Sequence, residues 1–331
     1  MRGNVSFPRP RLAGSAGILD WRILGYKSYW SFSANHLEFD EYGKLKNVLN
    51  TDMLAKKIVP YTYQVKKEEC IELPKKRYST YNFYLTDEQD EEYMRVAGIL
   101  MDQLDEWHSE TVYRLFSGLQ AVISGKQLIF NKKETNFETV EMFDNPRENP
   151  RIETLLYYLT KEKTIIFCRY ESEIEQLCSI LPDSVRFDGK VSIKEREKAL
   201  KDFSGEKKYL VANRNCAGYS LNLQFCHEII YMSNDWDLGT RLQSEDRVHR
   251  FGQEKDVNII DICAYNTIDE KILECLHRKE NLLNSIKGEI EKSKDNNFKE
   301  ALKKTIYGSR YNHEVFDCSE LEDMNGESIQ G

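Results

Sequence analysis

Beyond about residue 150, short apolar runs alternate with amphipathic segments along the chain. The runs are rich in β-branched and aromatic residues and predict strands at 163–168, 185–187, 208–213, 228–232 and 257–263. Apolar residues at helical spacing predict helices at 151–160, 172–181 and 192–203. Apolar strands that alternate with helices are typical of a parallel sheet covered on both faces, so we expect an α/β fold.

The first 150 residues follow a less regular pattern and are expected to be mainly helical and irregular. An aromatic cluster, WRILGYKSYWSF, lies at 21–32 and is typical of a packed core. The segment YSTYNFYL alternates as a strand does, and Thr86 directly after it is a suitable helix N-cap. Helices are predicted around 48–58, where Pro60 ends the pattern, at 87–103 and at 109–124.

A polar stretch with two prolines, at 131–150, separates these two patterns and predicts a linker. After the last strand, a long helix is predicted at 269–291, followed by a polar and basic segment. The stretch from His313 onward holds six acidic residues and no Lys or Arg, which is typical of a solvated tail. The expected segments are 1–72, 73–130, 131–150, 151–290 and 291–331.

The composition narrows the class of protein. With 331 residues, 40% of them hydrophobic and 31% charged, the chain can bury one large core or two smaller ones. Its net charge of −8 excludes a uniformly basic surface, so any contact with nucleic acid must come from local Lys and Arg groups. No apolar run reaches the ~18 residues of a membrane span, and the N-terminus lacks the apolar part of a signal peptide. We therefore expect a cytosolic protein with no membrane partner.

The eight cysteines are scattered, and several lie in predicted strands as small apolar residues. None forms a C-x-x-C pair, and the six histidines complete no zinc-binding spacing. The sequence therefore predicts reduced cysteines and no metal centre.

Polar and basic residues follow four of the predicted strands. In an open parallel sheet, ligands bind outside the carboxyl ends of the strands, so these residues are expected to share one edge. Each surface cation considered singly is usually only solvated, but their concentration on one edge favours a binding site. The candidates are Arg169, Asp188, Lys190, Arg196, Arg214, Asn215, Gly218, Ser220, Asn222, Ser233 and Asp235.

The segment LQSEDRVHRFGQ, residues 242–253, carries the strongest chemical signal. As a helix, it would place Gln243, Arg247 and Arg250 within roughly 60° of one another at ~100° per residue. Guanidinium groups match phosphate geometry and stay protonated, so the two arginines could face a nucleotide γ-phosphate. The alternative is a solvated helix face on which Asp246 pairs with Arg250 and Gln243 pairs with Arg247.

The same segment resembles the last helicase motif of the superfamily 2 nucleic-acid-dependent ATPases. The pattern of their Swi/Snf-like branch, Q-x-x-x-R-x-H-R-x-G-Q, is matched at Gln243, Arg247, His249, Arg250, Gly252 and Gln253. The resemblance covers about 150–283, extends more weakly upstream to about Leu73, and includes the small phage- and plasmid-type members. It implies the second RecA-like lobe of such an ATPase, an α/β parallel sheet with helices on both faces.

The resemblance also implies roles for individual residues. Family motifs that grip one DNA strand resemble two segments of this chain, IIFCRYESEIEQL and FDGKVSIKER. A further family motif, Ala-Gly-Gly-x-Gly-Leu-Asn-Leu, resembles NRNCAGYSLNL. Here Ala217 and Ser220 stand where the family usually has glycine. The resemblance favours double-stranded DNA over single-stranded DNA as the partner and leaves RNA as an alternative. The implied catalytic residues are Gln243, Arg247 and Arg250, the nucleotide-binding residues are Gly218, Asn222 and Asp246, and the nucleic-acid-binding residues are Arg169, Lys190, Arg196, Asn215 and Ser220.

The family holds ATP and Mg²⁺ mainly in a first lobe, through G-x-x-x-x-G-K-[ST] and Asp-Glu-x-His motifs. The first motif does not occur, because the Gly-Lys pairs at Gly43, Gly125 and Gly189 are followed by Leu, Gln and Val, and no Asp-Glu-x-His run stands at the end of an apolar strand. We therefore expect residues 1–72 to be the remnant of a first lobe whose ATP-binding part is missing or lies in another chain. By itself, this chain is expected to hydrolyse ATP poorly, in a bacterial or phage-infected cytoplasm.

Three functions are compatible with this sequence. The first is the second motor lobe of a DNA helicase or translocase, which supplies arginine fingers and DNA-gripping loops. The second is a nucleic-acid-binding or regulatory module without catalysis. The third is an interaction protein that kept the fold and lost the chemistry.

Overall fold

The computed structural model divides the chain into two compact units, Met1–Glu72 and Leu73–Gly331. It describes residues 23–26, 28–39, 43, 45–62, 72–102, 109–130, 137–213, 222–279, 282, 285–286, 288 and 298–307. The division falls after Glu72, where the first of the expected segments ends.

The first unit is built around a small aromatic and aliphatic core of Leu24, Phe32 and Leu37. Phe32 of the predicted aromatic cluster lies in this core, but Trp30 is 79% exposed. The elements of the unit are α1 (Tyr29–His36), β1 (Leu37–Phe39), β2 (Leu45–Val48), which pairs antiparallel with β1, α2 (Thr51–Ile58) and a 3₁₀ helix (Val59–Tyr61).

Beyond residue 150, the second unit largely alternates helices and strands, as the apolar pattern predicted. Its elements in chain order are β3 (Lys76–Phe83), α3 (Asp87–Asp102), α4 (Ser109–Ile123), β4 (Lys126–Phe130), β5 (Phe137–Glu141), α5 (Pro150–Tyr158), β6 (Thr164–Cys168), α6 (Glu171–Ile180), β7 (Ser184–Phe187), α7 (Ile193–Ser204), β8 (Tyr209–Asn213), β9 (Glu228–Tyr231), α8 (Leu238–Glu245), β10 (Val257–Ala264), α9 (Ile268–His277) and α10 (Phe298–Tyr307).

Six of these strands form one parallel sheet in the order β3-β10-β9-β6-β8-β7. In the central strand β6, Ile166 and Cys168 contribute to one core cluster, and Ile165 and Phe167 contribute to another. Because successive side chains of a strand point to opposite faces, the sheet is packed on both sides. The α/β prediction is therefore confirmed.

Strand β3 joins this sheet at its edge, although the sequence analysis assigned it to a separate helical region. It pairs in parallel with β10 along its whole length, from Lys76 opposite Val257 to Phe83 opposite Ala264. Helices α3 and α4, which follow β3, share the larger core cluster with the sheet. Thr86 caps α3 as predicted, since its Oγ1 accepts from the Gln89 N–H at 3.2 Å.

Two further elements differ from the prediction. The expected linker 131–150 contains β5, which pairs antiparallel with β4, and Asn149, which is buried and donates to the Ser124 carbonyl at 3.0 Å. Strand β5 is almost wholly exposed, so its sequence lacks the continuous apolar run that marks the buried strands. Helix α9 ends at His277, and Lys279 follows with a left-handed φ of 59°. The acidic tail and residues 291–297 lie outside the described residues.

Candidate functional site

Helix α8 ends at Glu245, so residues 242–253 are not one continuous helix, in contrast to the prediction. Residues 246–252, here called the arginine turn, form successive turns that Gly252 ends with a left-handed φ of 91°. The N–H groups of Arg247 and Val248 donate three residues back, to Ser244 and Glu245, which tightens the chain after the helix. The face predicted from helical spacing is therefore not formed by a helix.

The arginine turn adjoins the segment that precedes β9. Arg250 Nη1 donates to Asn222 Oδ1 at 2.6 Å, and the Leu223 N–H donates to the Arg247 carbonyl at 3.2 Å. Arg247 Nε is buried and has no hydrogen-bond partner among the described residues. A buried guanidinium nitrogen without an acceptor fits an anionic ligand, because leaving it unpaired costs free energy.

The other residues predicted beside Arg247 and Arg250 are exposed or lie outside the described residues. Gln243 and Asp246 are exposed, and Asp246 Oδ1 lies 3.8 Å from Lys76 Nζ. Four predicted residues lie outside the described residues: Arg214, Asn215, Gly218 and Ser220.

A buried ion-pair network beneath α8 was missed by the sequence analysis. Arg241, only 3% exposed, donates to Asp261 at 2.6 and 3.0 Å and to Asn234 Oδ1 at 2.7 Å, and its guanidinium lies 3.5 Å from the Tyr231 ring centroid. Its Nε donates to Glu245 at 2.8 Å. The sequence contained a signal, because Asp261 interrupts an apolar strand and a buried acid requires a partner.

Burial and charge act in opposite directions on the pKa of Glu245 and in the same direction on the pKa of Tyr78. Burial alone would raise the pKa of Glu245, but the positive charges of Arg241 and Lys76 outweigh it and lower that pKa. The pKa of Tyr78 is raised by its burial and by the nearby Glu245 carboxylate, to which its hydroxyl donates at 2.9 Å. Tyr78 therefore stays neutral and remains a hydrogen-bond donor.

Arg169, predicted to contact nucleic acid, is largely engaged within the protein. Its Nη1 donates to Gln120 and lies 3.4 Å from Asp235 Oδ1, and its Nη2 donates to Ser117 at 3.3 Å. The guanidinium also lies 4.0 Å from the ring centroid of Trp236, which is 8% exposed and belongs to the larger core cluster. These contacts fasten the loop after β6 to α4.

The loop after β7 presents a more accessible cation. The Lys190 side chain is 65% exposed, with Nζ 2.8 Å from Glu171 and 3.7 Å from Glu175. Arg196 is half-buried and donates through Nε to the Val191 carbonyl at 3.0 Å. Asp188 organises the loop by accepting from the Lys190 N–H, and although burial opposes it, the Arg186 guanidinium lowers the pKa of Asp188.

Comparison with known proteins identifies the domain that carries these loops. Residues 150–252 match the family model of the helicase conserved C-terminal domain. The SWI/SNF-related matrix-associated actin-dependent regulator of chromatin subfamily A-like protein 1 of Xenopus tropicalis is 26% identical over 196 residues, 54% of this chain and 21% of that protein. Residues 150–252 are thus similar to helicase C-terminal domains, and the similar proteins include a Swi/Snf-related one.

Two further similarities concern more of the chain. A protein named an uncharacterized ATP-dependent helicase of Mycoplasma genitalium is 25% identical over 262 residues, 76% of this chain and 25% of that protein. The SWI2/SNF2 ATPase core domain of Sulfolobus solfataricus is similar in structure, with a TM-score of 0.51 and 21% identity over 89% of this chain and 61% of that chain. The same core in complex with double-stranded DNA also gives a TM-score of 0.51. The parallel sheet is thus RecA-like, and the chain spans about a quarter of the length of the curated relatives.

A second buried network connects the helicase C-terminal domain to elements on both sides of it. Arg151, at the start of α5, is fully buried, donates to Asp269 of α9, and lies 3.8 Å from Glu173 Oε1. Glu173 accepts from Ser124 at 2.7 Å and from Ser233 at 2.6 Å. This network was not predicted from the sequence, because its members are far apart in the chain.

Among the described residues, no helix combines the length and apolar character needed to cross a bilayer. In the same parts of the chain, His, Cys, Asp and Glu side chains form no group of three or more that could hold a metal ion.

Proposed function

We propose that this chain is the second motor lobe of a nucleic-acid-dependent ATPase that acts as a DNA helicase or translocase. In this proposal Arg247 and Arg250 contact the γ-phosphate of an ATP that another lobe holds. The observation that carries it is the buried Arg247 Nε, which has no acceptor in the described part of the chain, beside the half-buried Arg250. Fixed guanidiniums at such a position stabilise the negative charge that develops during phosphoryl transfer.

The neighbouring residues support this arrangement. Asn222 orients Arg250 through the 2.6 Å hydrogen bond to Nη1, and Gln243 and Asp246 flank the arginine turn on its exposed side. Gly218 would complete the nucleotide-binding edge. The triphosphate, bound with Mg²⁺, would supply the phosphoryl group, and both would be held mainly by the first lobe. The 331 residues contain no phosphate-binding loop, so the arginines need a second lobe to act on.

Nucleic acid would bind along the same sheet edge. The proposed contacts are made by Lys190 and Arg196 and by the loop with Asn215 and Ser220, whereas Arg169 contributes mainly by fixing the loop after β6. Double-stranded DNA is the proposed partner, because a fold neighbour has been solved in complex with it. Membership of the phage- and plasmid-type group and a location in bacterial cytoplasm stay predictions.

The decisive test is phosphate release. The purified chain with Mg-ATP and double-stranded DNA is expected to show no DNA-stimulated release. Addition of a separately purified ATP-binding lobe of a Swi/Snf-like ATPase should produce release that depends on both polypeptides and on DNA. Robust turnover by the chain alone would contradict the missing-lobe proposal. A chain that binds DNA but never supports release in the mixture would instead be a non-catalytic binding module.

Replacement of Lys190 by alanine should weaken binding to double-stranded DNA and reduce the slope of log affinity against log salt by about 1, because each phosphate contact releases about one counterion. Fluorescence anisotropy over a series of salt concentrations measures this slope. Lys208 is the matched control: it is also exposed and pairs with an acid, Asp183, but it precedes β8 and so lies at the opposite end of the strands. Equal slopes for Lys190→Ala and Lys208→Ala would remove Lys190 from the proposed DNA interface.

A further inference from the structure

Strand β3 lies outside the matched helicase C-terminal domain, yet its first residues reach the end of α8. Lys76 Nζ donates to Glu245 Oε2 at 2.8 Å, and the Tyr78 hydroxyl donates to the same oxygen at 2.9 Å. Just before β3, the Pro74 carbonyl lies 2.7 Å from His249 Nε2 in the arginine turn. The amino-terminal end of β3 therefore contacts the segment that carries the two arginines at several points.

Glu245 is the residue through which these contacts reach the arginine turn. It is the last residue of α8, and its carbonyl accepts from the N–H groups of Val248 at 3.1 Å and His249 at 2.9 Å. Its side chain is buried, and Arg241 fixes the other carboxylate oxygen, Oε1. A carboxylate held by three donors leaves the backbone after Glu245 little freedom, because charge-assisted hydrogen bonds are short and directional.

We propose that Lys76 and Tyr78 are positioning residues, which hold Glu245 and through it keep the arginine turn in the conformation that presents Arg247 and Arg250. This inference rests on the proposed function of the two arginines. It makes β3 part of the nucleotide-facing site, although neither Lys76 nor Tyr78 touches the nucleotide. Lys76 also approaches Asp246 of the turn at 3.8 Å, a second connection from the same side chain.

The chain offers a matched pair of variants on one strand. Lys76→Met with Tyr78→Phe removes both donors to Glu245 and leaves Arg241 in place, so the sheet is expected to stay folded. Arg77→Met also removes a cation from β3, but the Arg77 side chain is 68% exposed and pairs with Asp256 rather than Glu245. Lys76→Arg keeps a positive donor within reach of Glu245 and is expected to behave as the unmodified chain does.

Amide hydrogen exchange of the full chain measures the effect directly. In the Lys76→Met/Tyr78→Phe variant, amides at 246–250 should exchange about tenfold faster, while amides of β6 and β9 keep their protection, because only a local opening becomes easier. Arg77→Met and Lys76→Arg should leave exchange at 246–250 unchanged. Equal exchange at 246–250 in the double variant and in Arg77→Met would overturn the proposal.

A kinetic measurement separates positioning from simple structural support. In the mixture with an ATP-binding lobe, the double variant should lower kcat about tenfold with KM for ATP nearly unchanged, since the arginines act in the transition state. Faster exchange with an unchanged kcat would overturn the positioning role. If the unmodified mixture releases no phosphate, the proposed function fails, and the exchange comparison still decides whether β3 holds the arginine turn.

Discussion

Replacement of Arg250 by alanine is expected to lower DNA-stimulated ATP hydrolysis in the two-lobe mixture by about 10³-fold or more, because arginine fingers contribute about 10³–10⁵ to phosphoryl transfer. Affinity for double-stranded DNA should stay nearly unchanged, since the proposed DNA contacts lie in other loops. Steady-state phosphate release with saturating DNA measures the first quantity, and fluorescence anisotropy measures the second. The contrast between the two readouts is what distinguishes a finger from a DNA contact.

Two further variants sharpen this result. Arg250→Lys retains the positive charge but loses the planar fork and one donor to Asn222, so it should remain severely impaired if geometry matters. Arg77→Ala removes an exposed guanidinium from β3 and should leave both readouts unchanged. If Arg250→Ala lost DNA affinity and its salt dependence instead of turnover, the chain would be a nucleic-acid-binding module.

The sheet could be predicted from the sequence because its central strands are buried on both faces. The strands β6 and β9 are buried at every residue, so they appear as continuous apolar runs with clear limits. The edge strand β3 is mostly exposed, and its alternation showed only that it is a strand. Which sheet it joins depends on its pairing with β10, about 180 residues later, and no local pattern contains that information.

The candidate site was predicted in outline but not in its internal geometry. The rule that ligands bind at the carboxyl edge of the sheet selected Asn222, and the motif at 242–253 selected Arg250. In the structure, Arg250 Nη1 donates to Asn222 Oδ1. Helical spacing failed for residues 242–253 because α8 ends at Glu245, where the side chain is held by Arg241, Lys76 and Tyr78. Two of these partners come from a distant strand, so sequence periodicity could not reveal the end of the helix.

The structure separates the arginines of this region into two groups. Arg241 and Arg169 are occupied by internal acceptors, Asp261 and Gln120 respectively. Arg247 has a buried nitrogen with no acceptor among the described residues, and Arg250 is held by the neutral side chain of Asn222. The acids of the network neutralise Arg241, whereas the buried Nε of Arg247 makes the arginine turn the better candidate for an external phosphate.

Replacement of Arg241 by methionine should destabilise the second unit by about 3–5 kcal/mol at neutral pH, the range observed when one partner of a buried ion pair is removed. The reason is that Asp261 loses its guanidinium partner and Glu245 loses one of three donors while both stay buried. Urea unfolding followed by circular dichroism measures the free energy of unfolding. The exposed pair Arg278–Glu274 supplies the control, and Arg278→Met should cost less than about 1 kcal/mol.

The loss of unfolding free energy caused by Arg241→Met should also depend on pH, and the ionisation of Glu245 sets the direction of that dependence. Its pKa in the folded chain lies below the ordinary value because Arg241 and Lys76 outweigh burial. The stabilisation from its ionised form is therefore present above the ordinary glutamate pKa of about 4.3 and disappears as pH falls through the lower, folded value. Without Arg241, burial raises the pKa of Glu245, so Glu245 becomes protonated in the variant as the pH falls. The difference in unfolding free energy between the unmodified chain and the variant should therefore shrink between about pH 7 and pH 4. A difference that stays constant over this range would attribute the loss to packing of the side chain rather than to an unpaired carboxylate.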